Sequence, residues 1–324
     1  MPDLYCTKID LPPENPLKNV NSYIIVGDKR NLIIDTAFNH PLCLEQMKKN
    51  LNELKIDMNR TDIFITHLHA DHSGLASQIA SDNSRIYASA ADKGILALIL
   101  TSPEVFWKPR ELLYMKEGYP TEELTRTRIN NPARKYASKK RMNISIVEDG
   151  MHLIYGNYKL KCISTPGHTP GHMCLYDEDN QILFTGDHLL YDITPNITAW
   201  ETLPNSLSCY LQSLNKISGL KVNTALTGHR SNTGNFYDRI CELQKHHAER
   251  LNDIKQIIAK YPGINGYEIA SHMKWSIRVK SWDDFPPGQR WFAVGEAIAH
   301  LNYLVDNNMV VKNEQNDIYS YTLP

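Results

Sequence analysis

Six residues, His67-Leu68-His69-Ala70-Asp71-His72, follow directly on the apolar stretch Ile63-Phe64-Ile65-Thr66, and nothing else in this 324-residue chain constrains its fold as much. Three imidazoles and a carboxylate set that closely are the donor types a borderline divalent ion such as zinc prefers. Neighbouring side chains in such a loop point in different directions, so one loop can feed two adjacent ions. Residues 63–66 predict a short buried strand running into the histidines, and residues 75–80 a helix beyond them. Strand, polar loop, helix is the order in which α/β proteins commonly build sites at the carboxyl edge of a sheet.

Three further potential ligands recur downstream, each beside a glycine at the end of a predicted strand: Gly167-His168, Gly186-Asp187 and Gly228-His229. Glycine lets the chain turn sharply and come close to a metal centre. The strands are read at residues 158–164, 172–176, 181–185 and 224–227, with a hairpin across Glu178-Asp179-Asn180. Upstream, residues 21–26 and 31–36 predict a hairpin turning at Gly27-Asp28, residues 42–54 a helix, and residues 85–88 and 144–147 two more strands.

With these positions assembled, the chain plainly resembles the metallo-β-lactamase superfamily, whose pattern HxHxDH, then H, then D, then H is complete here. The resemblance covers about residues 4–233 and implies an α/β fold, an αββα sandwich. It also implies the ligand roles. His67, His69 and His168 would hold one metal, Asp71, His72 and His229 a second, and Asp187 would bridge them, with two zinc ions as the expected cofactors and iron or manganese as alternatives. Residues 165–172 (TPGHTPGH) also look like the family's, where the second histidine is usually not a ligand, so His172 is expected to be structural or to orient ligands by hydrogen bonding. His188 competes between such a role, a substrate-facing one and simple packing. Asp35 closes a strand where the family often carries a carboxylate that orients a ligand. His40, His152, His246, His247, His272 and His300 have no neighbouring ligand types and are read as structural.

Residues 92–142 interrupt this pattern with helical spacing, aromatic residues and prolines at 103, 109, 120 and 132, which reads as an inserted helical lid. Within it, residues 125–141 hold seven basic side chains (Arg126, Arg128, Arg134, Lys135, Lys139, Lys140, Arg141) and no acidic one. Such a run is either a solvated helix face or a cradle for an anionic substrate arm. A long helix over residues 237–260 ends at Pro262-Gly263 and leaves the catalytic domain, 1–236. Residues 237–324 read as a small winged-helix-like domain, with helices at 267–273 and 290–307 and a hairpin of 309–312 and 318–321 about residues 313–317. Adding that module to HxHxDH is similar to the beta-lactamase-like protein 2 group, although residues 186–197 depart from that group's pattern and leave the substrate open.

The mechanism the resemblance implies is attack on a substrate by a water that two metals acidify, with Asp71 orienting it or taking its proton and Tyr191 as a candidate donor to the oxyanion. A metal-dependent hydrolase of an ester, lactone or thioester is the first expectation, acting on a small acyl substrate with or without an anionic carrier such as coenzyme A. A ribonuclease is the alternative, and charge argues against it. From Ile240 to Pro324 nine Lys/Arg face ten Asp/Glu, so a nucleic-acid partner has no basic footprint there, and packing or a homodimer suits the module better. A mononuclear iron sulfur dioxygenase on the same fold is a third reading. The net charge of -1 gives no pull towards anionic membranes. Residues 1–20 show no basic stretch leading into an apolar core, and the longest aliphatic run, residues 95–100, is too short to span a bilayer. The expected location is cytoplasmic, without a membrane partner. Six scattered cysteines with no CxxC pair suit reduced, buried thiols.

Overall fold

The computed structural model describes residues 3–277 and 279–324; Arg278, one of the nine basic residues counted above, lies outside them. In chain order the elements are β1 (Leu4–Asp10), β2 (Asn19–Ile25), β3 (Asn31–Ile34), α1 (Pro41–Glu53), β4 (Thr61–Phe64), α2 (Ala70–Ser73), α3 (Ala76–Ile79) and β5 (Ile86–Ala88). The helical segment follows as α4 (Ala90–Thr101), α5 (Pro103–Lys116), α6 (Thr121–Asn130) and α7 (Pro132–Lys135). Then come β6 (Ile144–Ile146), β7 (His152–Tyr155), β8 (Tyr158–Ser164), β9 (Met173–Asp177), β10 (Ile182–Gly186), α8 (Ser206–Ser218) and β11 (Thr224–Thr227). The chain ends with α9 (Phe236–Lys260), α10 (Gly266–His272), α11 (Pro287–Asp306), β12 (Val311–Gln315) and β13 (Ile318–Thr322).

Two sheets face each other, one ordered β1-β2-β3-β4-β5-β6 and the other β11-β10-β9-β8-β7. The central strands β3, β4, β5, β9 and β10 are buried on both faces, and the period of two sorts their residues between the two sides. Ile25, Leu32, Ile34 and Phe64 point inward against Leu160, Leu175 and Phe184 of the second sheet. Ile24, Ile33 and Ile63 point the other way, into the core beneath α1, α4 and α5. On the far side Cys174, Leu183 and Ala225 meet Leu207, Tyr210 and Leu214 of α8 and Ile240 and Leu243 of α9. Helix, sheet, sheet, helix is thus the layering, an αββα sandwich.

The strand ends that carry the site are stitched together across the two sheets. The Met173 N–H donates to Thr66 O at 2.8 Å, the Asn21 N–H to Gly228 O at 2.8 Å, and the Tyr23 hydroxyl to Thr227 O at 2.7 Å. Towards the other end of β4, buried Asp62 accepts from Arg30 Nε at 2.8 Å and from the Tyr155 hydroxyl of the second sheet at 2.7 Å.

Helices α5 and α6 pack onto α11, so the inserted segment and the C-terminal one share a core. Tyr114 stacks on Trp291 with ring centroids 3.9 Å apart. Arg290 pairs with Glu123 at 2.5 Å, and buried Glu117 accepts from the Tyr321 hydroxyl and pairs with Lys312. Pro109, expected to punctuate, lies inside α5. The carbonyl it leaves without an N–H partner belongs to Val105, which is exposed, so water can satisfy it. Of the basic run, Arg128 pairs with Glu104 and Glu111 of α5, while Arg134, Lys135, Lys139, Lys140 and Arg141 are exposed.

The sequence reading took α2 for loop and did not foresee β1, β7 or α8. β1 is largely exposed and has little apolar pattern, and β7 is short. α8 had a signal, since Leu207, Tyr210, Leu214 and Ile217 share one face behind the cap Asn205. The terminal hairpin turns at Asn316-Asp317, both at positive φ, later than expected, which extends its ladder. All six cysteines are free; Cys43, Cys162 and Cys174 are buried, but Cys6 and Cys241 are exposed. Among the described residues no helix is long and apolar enough to cross a membrane.

Candidate metal centre

β4 runs parallel between β3 and β5, and its carboxyl end delivers the histidine loop. Leu68 is the loop's apolar anchor, buried between His67 and His69. His69 begins the single turn of α2, which Ser73 locks by donating its hydroxyl to Leu68 O and His69 O. The Thr36 N–H and hydroxyl both donate to His72 O at 2.8 Å, fixing the far end of the turn to the chain after β3. His168 follows β8, Asp187 follows β10 and His229 follows β11.

The seven expected ligands converge. His67 Nε2 lies 3.1 Å from His69 Nδ1, which lies 2.9 Å from His168 Nε2. His72 Nε2 and His229 Nε2 are 3.2 Å apart, and Asp71 Oδ2 is 3.4 Å from the latter. His67, His69 and His168 form one group of potential ligands, and Asp71, His72 and His229 a second. Asp187 spans both, with Oδ1 3.5 Å from His72 Nε2 and Oδ2 3.4 Å from His229 Nε2 and 3.8 Å from His168 Nε2. Donors at zinc–nitrogen distances of about 2.0–2.1 Å in a tetrahedron stand about 3.3 Å from each other, close to the spacing here. Asp187 Oδ1 is buried without a hydrogen-bond partner. These donors therefore fit divalent metal ions.

Four of the five clustered histidine rings are held at the nitrogen facing away from the cluster. His72 Nδ1 meets Asp35 Oδ2 at 2.8 Å, His168 Nδ1 meets Asn196 O at 2.8 Å, His229 Nδ1 meets Asn19 O at 2.6 Å, and His67 Nδ1 meets Thr66 Oγ1 at 3.0 Å. An oxygen at the outer nitrogen fixes ring orientation and aims the other nitrogen at the metal. His69 is the half-buried exception, its ring stacked under Trp200 at 6.2 Å.

Charge divides the cluster. Burial pushes His67 and His168 below the ordinary imidazole range and His69 to about 3, and neighbouring imidazoles reinforce it. Burial would lower His72 and His229 too, but the Asp187 carboxylate overrides it, holding His72 well up and His229 at about 10. Burial opposes ionisation of Asp71, yet His229 and His72 pull it to about 2, and the same two rings hold Asp187 well below the carboxylate range. One group thus offers neutral nitrogen donors, and the other holds carboxylates whose charge calls for a cation.

The glycines act as expected at two positions. A Cβ on Gly228 would overlap Asp187 Oδ1 and stand 2.8 Å from His72 Cε1. Gly186, at φ 48°, would meet Thr66 Oγ1 at 2.7 Å and His172 Nε2 at 2.8 Å. His172 stacks on His67, its Nδ1 2.8 Å from Thr165 Oγ1, and thus supports a ligand ring. His188 packs edge-on against Tyr210 of α8, and burial pushes it to about 3. Tyr191 lies with its ring on Gly234, beside the loop that carries His229. His247 and His300 form a buried pair 3.0 Å apart, and His40 caps α1.

Sequence reasoning missed Asp92. Its buried carboxylate accepts from the Leu68 N–H at 2.8 Å, the Thr169 hydroxyl at 3.0 Å and the Gly171 N–H at 2.8 Å, clamping the loop of His67 and His69 to that of His168. It missed Trp200 as well, whose Nε1 donates to His168 O at 3.2 Å and whose ring carries the Arg110 guanidinium at 4.6 Å. Neither position has a local ligand pattern that could have marked it.

Comparison with known proteins agrees with this geometry. The profile of the metallo-beta-lactamase superfamily matches residues 15–136 and 159–229, and that of a metallo-beta-lactamase-like C-terminal domain matches residues 284–323. A beta-lactamase-like protein 2 homolog of Caenorhabditis elegans is 22% identical over 268 residues, 81% of this chain and 75% of that one. A lactamase-like protein of Emericella nidulans is 22% identical over 249 residues, 75% of this chain and 61% of that one, so the match leaves over a third of the fungal protein unaccounted for. Among solved structures, a metallo-beta-lactamase family protein of Thermus thermophilus superposes with a TM-score of 0.82 at 26% identity, covering 100% of this chain and 99% of that one. A beta-lactamase domain protein of Burkholderia ambifaria gives a TM-score of 0.85 at 21% identity, covering 100% and 93%.

Proposed function

Because the chain belongs to the metallo-beta-lactamase superfamily, we propose that it is a dinuclear metal-dependent hydrolase cleaving an ester, lactone or thioester. The observation that carries the reading is Asp187, one carboxylate facing His72 from one oxygen and His168 and His229 from the other. In this reading His67, His69 and His168 hold one ion, Asp71, His72 and His229 hold the other, and zinc suits the donor set, with iron or manganese as alternatives. When bound, such ions supply an acidified water at neutral pH and a Lewis-acidic contact for the substrate's carbonyl oxygen.

The protein's own side chains set the geometry of that chemistry. Asp71 orients the attacking water and takes its proton as the carbonyl carbon becomes tetrahedral. The rings fixed by Asp35, Asn196, Asn19 and Thr66 do not reorganise during the reaction, which is where a preorganised site gains its rate. Tyr191 is the proposed donor to the oxyanion; Tyr191→Phe then lowers turnover by about 10²-fold, against almost no change for a ring that only packs. The near-neutral C-terminal segment and the lactamase-like names of the relatives favour a carbonyl over a phosphodiester substrate. An acyl group carried on an anionic arm, coenzyme A for example, suits a lid that brings Arg110 over Trp200 and exposes Arg134, Lys135, Lys139, Lys140 and Arg141.

The test is a panel of acyl-coenzyme A and glutathione thioesters, acyl-homoserine lactones, aryl esters and single-stranded RNA, with metal content measured on the same samples and Asp187→Ala as control. Turnover of a carbonyl substrate, lost in the control, is the expected result. Cleavage of RNA alone overturns the carbonyl reading, and one iron per chain with oxygen consumption overturns the dinuclear one. The anionic-carrier preference fails if a carrier thioester is no better a substrate than a neutral ester of the same acyl group.

A further inference from the structure

α11 is lined with buried apolar residues, among them Trp291, Val294, Ala297, Ile298 and Leu301, yet it also buries Glu296. A carboxylate in such surroundings is retained at a cost unless its charge and lone pairs are met. Two groups meet it. Arg250 of α9 forms an ion pair with Oε1 at 2.9 Å, its guanidinium lying 4.2 Å over Trp275, and Asn196 Nδ2 donates to Oε2 at 3.0 Å.

Asn196 is the link to the metal centre. Its backbone carbonyl accepts from His168 Nδ1 at 2.8 Å. Its side chain is held by α11 at two points, Glu296 Oε2 and Phe292 O at 3.4 Å. The same stretch is pinned again three residues on, where the Ala199 N–H donates to Gly295 O at 3.3 Å and a Cβ on Gly295 would overlap Thr198 Oγ1. The peptide that aims His168 is therefore fastened to a helix a hundred residues away.

We propose that Glu296 is a positioning residue that, through Asn196, fixes the orientation of His168 and so the affinity of the position formed by His67, His69 and His168. The proposal rests on the reading that these three rings hold a metal ion. An ion pair that merely joined α9 to α11 would contribute stability without favouring one metal position over the other.

The test is a zinc titration of the full chain against a competing chelator, with His69→Ala and His229→Ala used to assign the two binding steps. Outer partners of ligating histidines typically change metal affinity by 10–100-fold; being one bond further out, Asn196→Ala and Glu296→Ala are expected to weaken the His168 position about 10-fold and change the other by less than about twofold. Glu296→Gln keeps an oxygen for Asn196 Nδ2 and is expected to restore most of the affinity; if Glu296→Ala fails to fold, Glu296→Leu, which fills the space but offers no acceptor, takes its place with the same expected weakening. Combining Asn196→Ala with Glu296→Ala should add nothing to the zinc effect of Asn196→Ala, since both cut one chain of contacts. An unchanged His168 position in Asn196→Ala, or equal weakening of both positions, overturns the proposal. A wild-type chain that binds no zinc overturns the metal reading itself.

Discussion

Asp35 Oδ2 stands 2.8 Å from His72 Nδ1, and the residue that presents it has φ 60°, a left-handed conformation in which aspartate is among the few side chains tolerated. The same carboxylate accepts the Thr66 N–H at 2.8 Å and the Thr66 hydroxyl at 2.7 Å. One buried acid thus aims a ligand of the second group and supports the start of the histidine loop. Asp35→Ala is expected to lower zinc affinity at the position of Asp71, His72 and His229 by about 10–100-fold. Stepwise zinc titration checks it, and unchanged affinity there would mean that His72 is oriented by the loop alone.

Gly228 leaves room for two ligands at once. A methyl group there would overlap Asp187 Oδ1 and crowd His72 Cε1. Asp187 directly follows β10 and His72 lies in the buried turn α2, so relief must come from the two side chains themselves. Gly228→Ala is expected to retain the fold by circular dichroism, hold less than the full complement of metal, and lose about 10²-fold or more in turnover, as displacements near 1 Å do in preorganised sites.

How much of this was legible follows from where each constraint lives. That His67, His69, Asp71, His72, His168, Asp187 and His229 converge could be foreseen because metal-ligand chemistry needs particular donors, and the glycines beside the last three mark close approach. The inner strands of the sandwich were legible because burial on both faces favours apolar runs, Leu32-Ile33-Ile34 in β3 and Ile63-Phe64-Ile65 at the end of β4, whereas the edge strands β1 and β7 lack such runs. Asp92, Asn196 and Trp200 were not. Each acts through contacts with residues distant in sequence, Asp92 with Thr169 and Gly171, Asn196 with Glu296 and Trp200 with His168, and no local period or spacing encodes such a pairing. The junction of lid and C-terminal segment was hidden for the same reason, since Trp291 reads as an ordinary apolar helix residue until Tyr114 is found stacked on it.

That junction yields a third prediction. Trp291 is 6% exposed and touches Tyr114, Tyr119 and Trp107 of the inserted segment. Truncating a buried tryptophan typically costs about 3–5 kcal/mol through lost burial and the cavity left behind. Trp291→Ala is expected to fall in that range in urea unfolding, and to raise hydrogen exchange in α5 and α6 more than in α1. Equal exchange in all three helices would show that the lid is held by its base rather than by α11.

His300 ties folding to pH. It is fully buried, its Nδ1 2.7 Å from Glu296 O and its Nε2 3.0 Å from His247 Nδ1. Nδ1 of His300 donates to the carbonyl, which leaves Nε2 to accept from His247 and requires the His300 ring to be neutral, while burial holds its donor His247 well below the ordinary imidazole range. Burial pushes His300 to about 3, against an ordinary value of about 6.5 in the unfolded chain. Between those values the unfolded state binds the extra proton, so stability is full above pH about 6.5 and falls as the pH drops towards about 3, with a slope approaching about 1.4 kcal/mol per pH unit from this ring. His300→Gln removes the titrating group, and its urea midpoint should fall less steeply than the wild type's between pH 6.5 and pH 4.5. Measuring both chains without added metal, with Asp35→Ala alongside, separates this slope from that of the ligating histidines. If His300→Gln and the wild type lose stability in parallel, the acid sensitivity belongs to the metal cluster and the pair at α9 and α11 is silent.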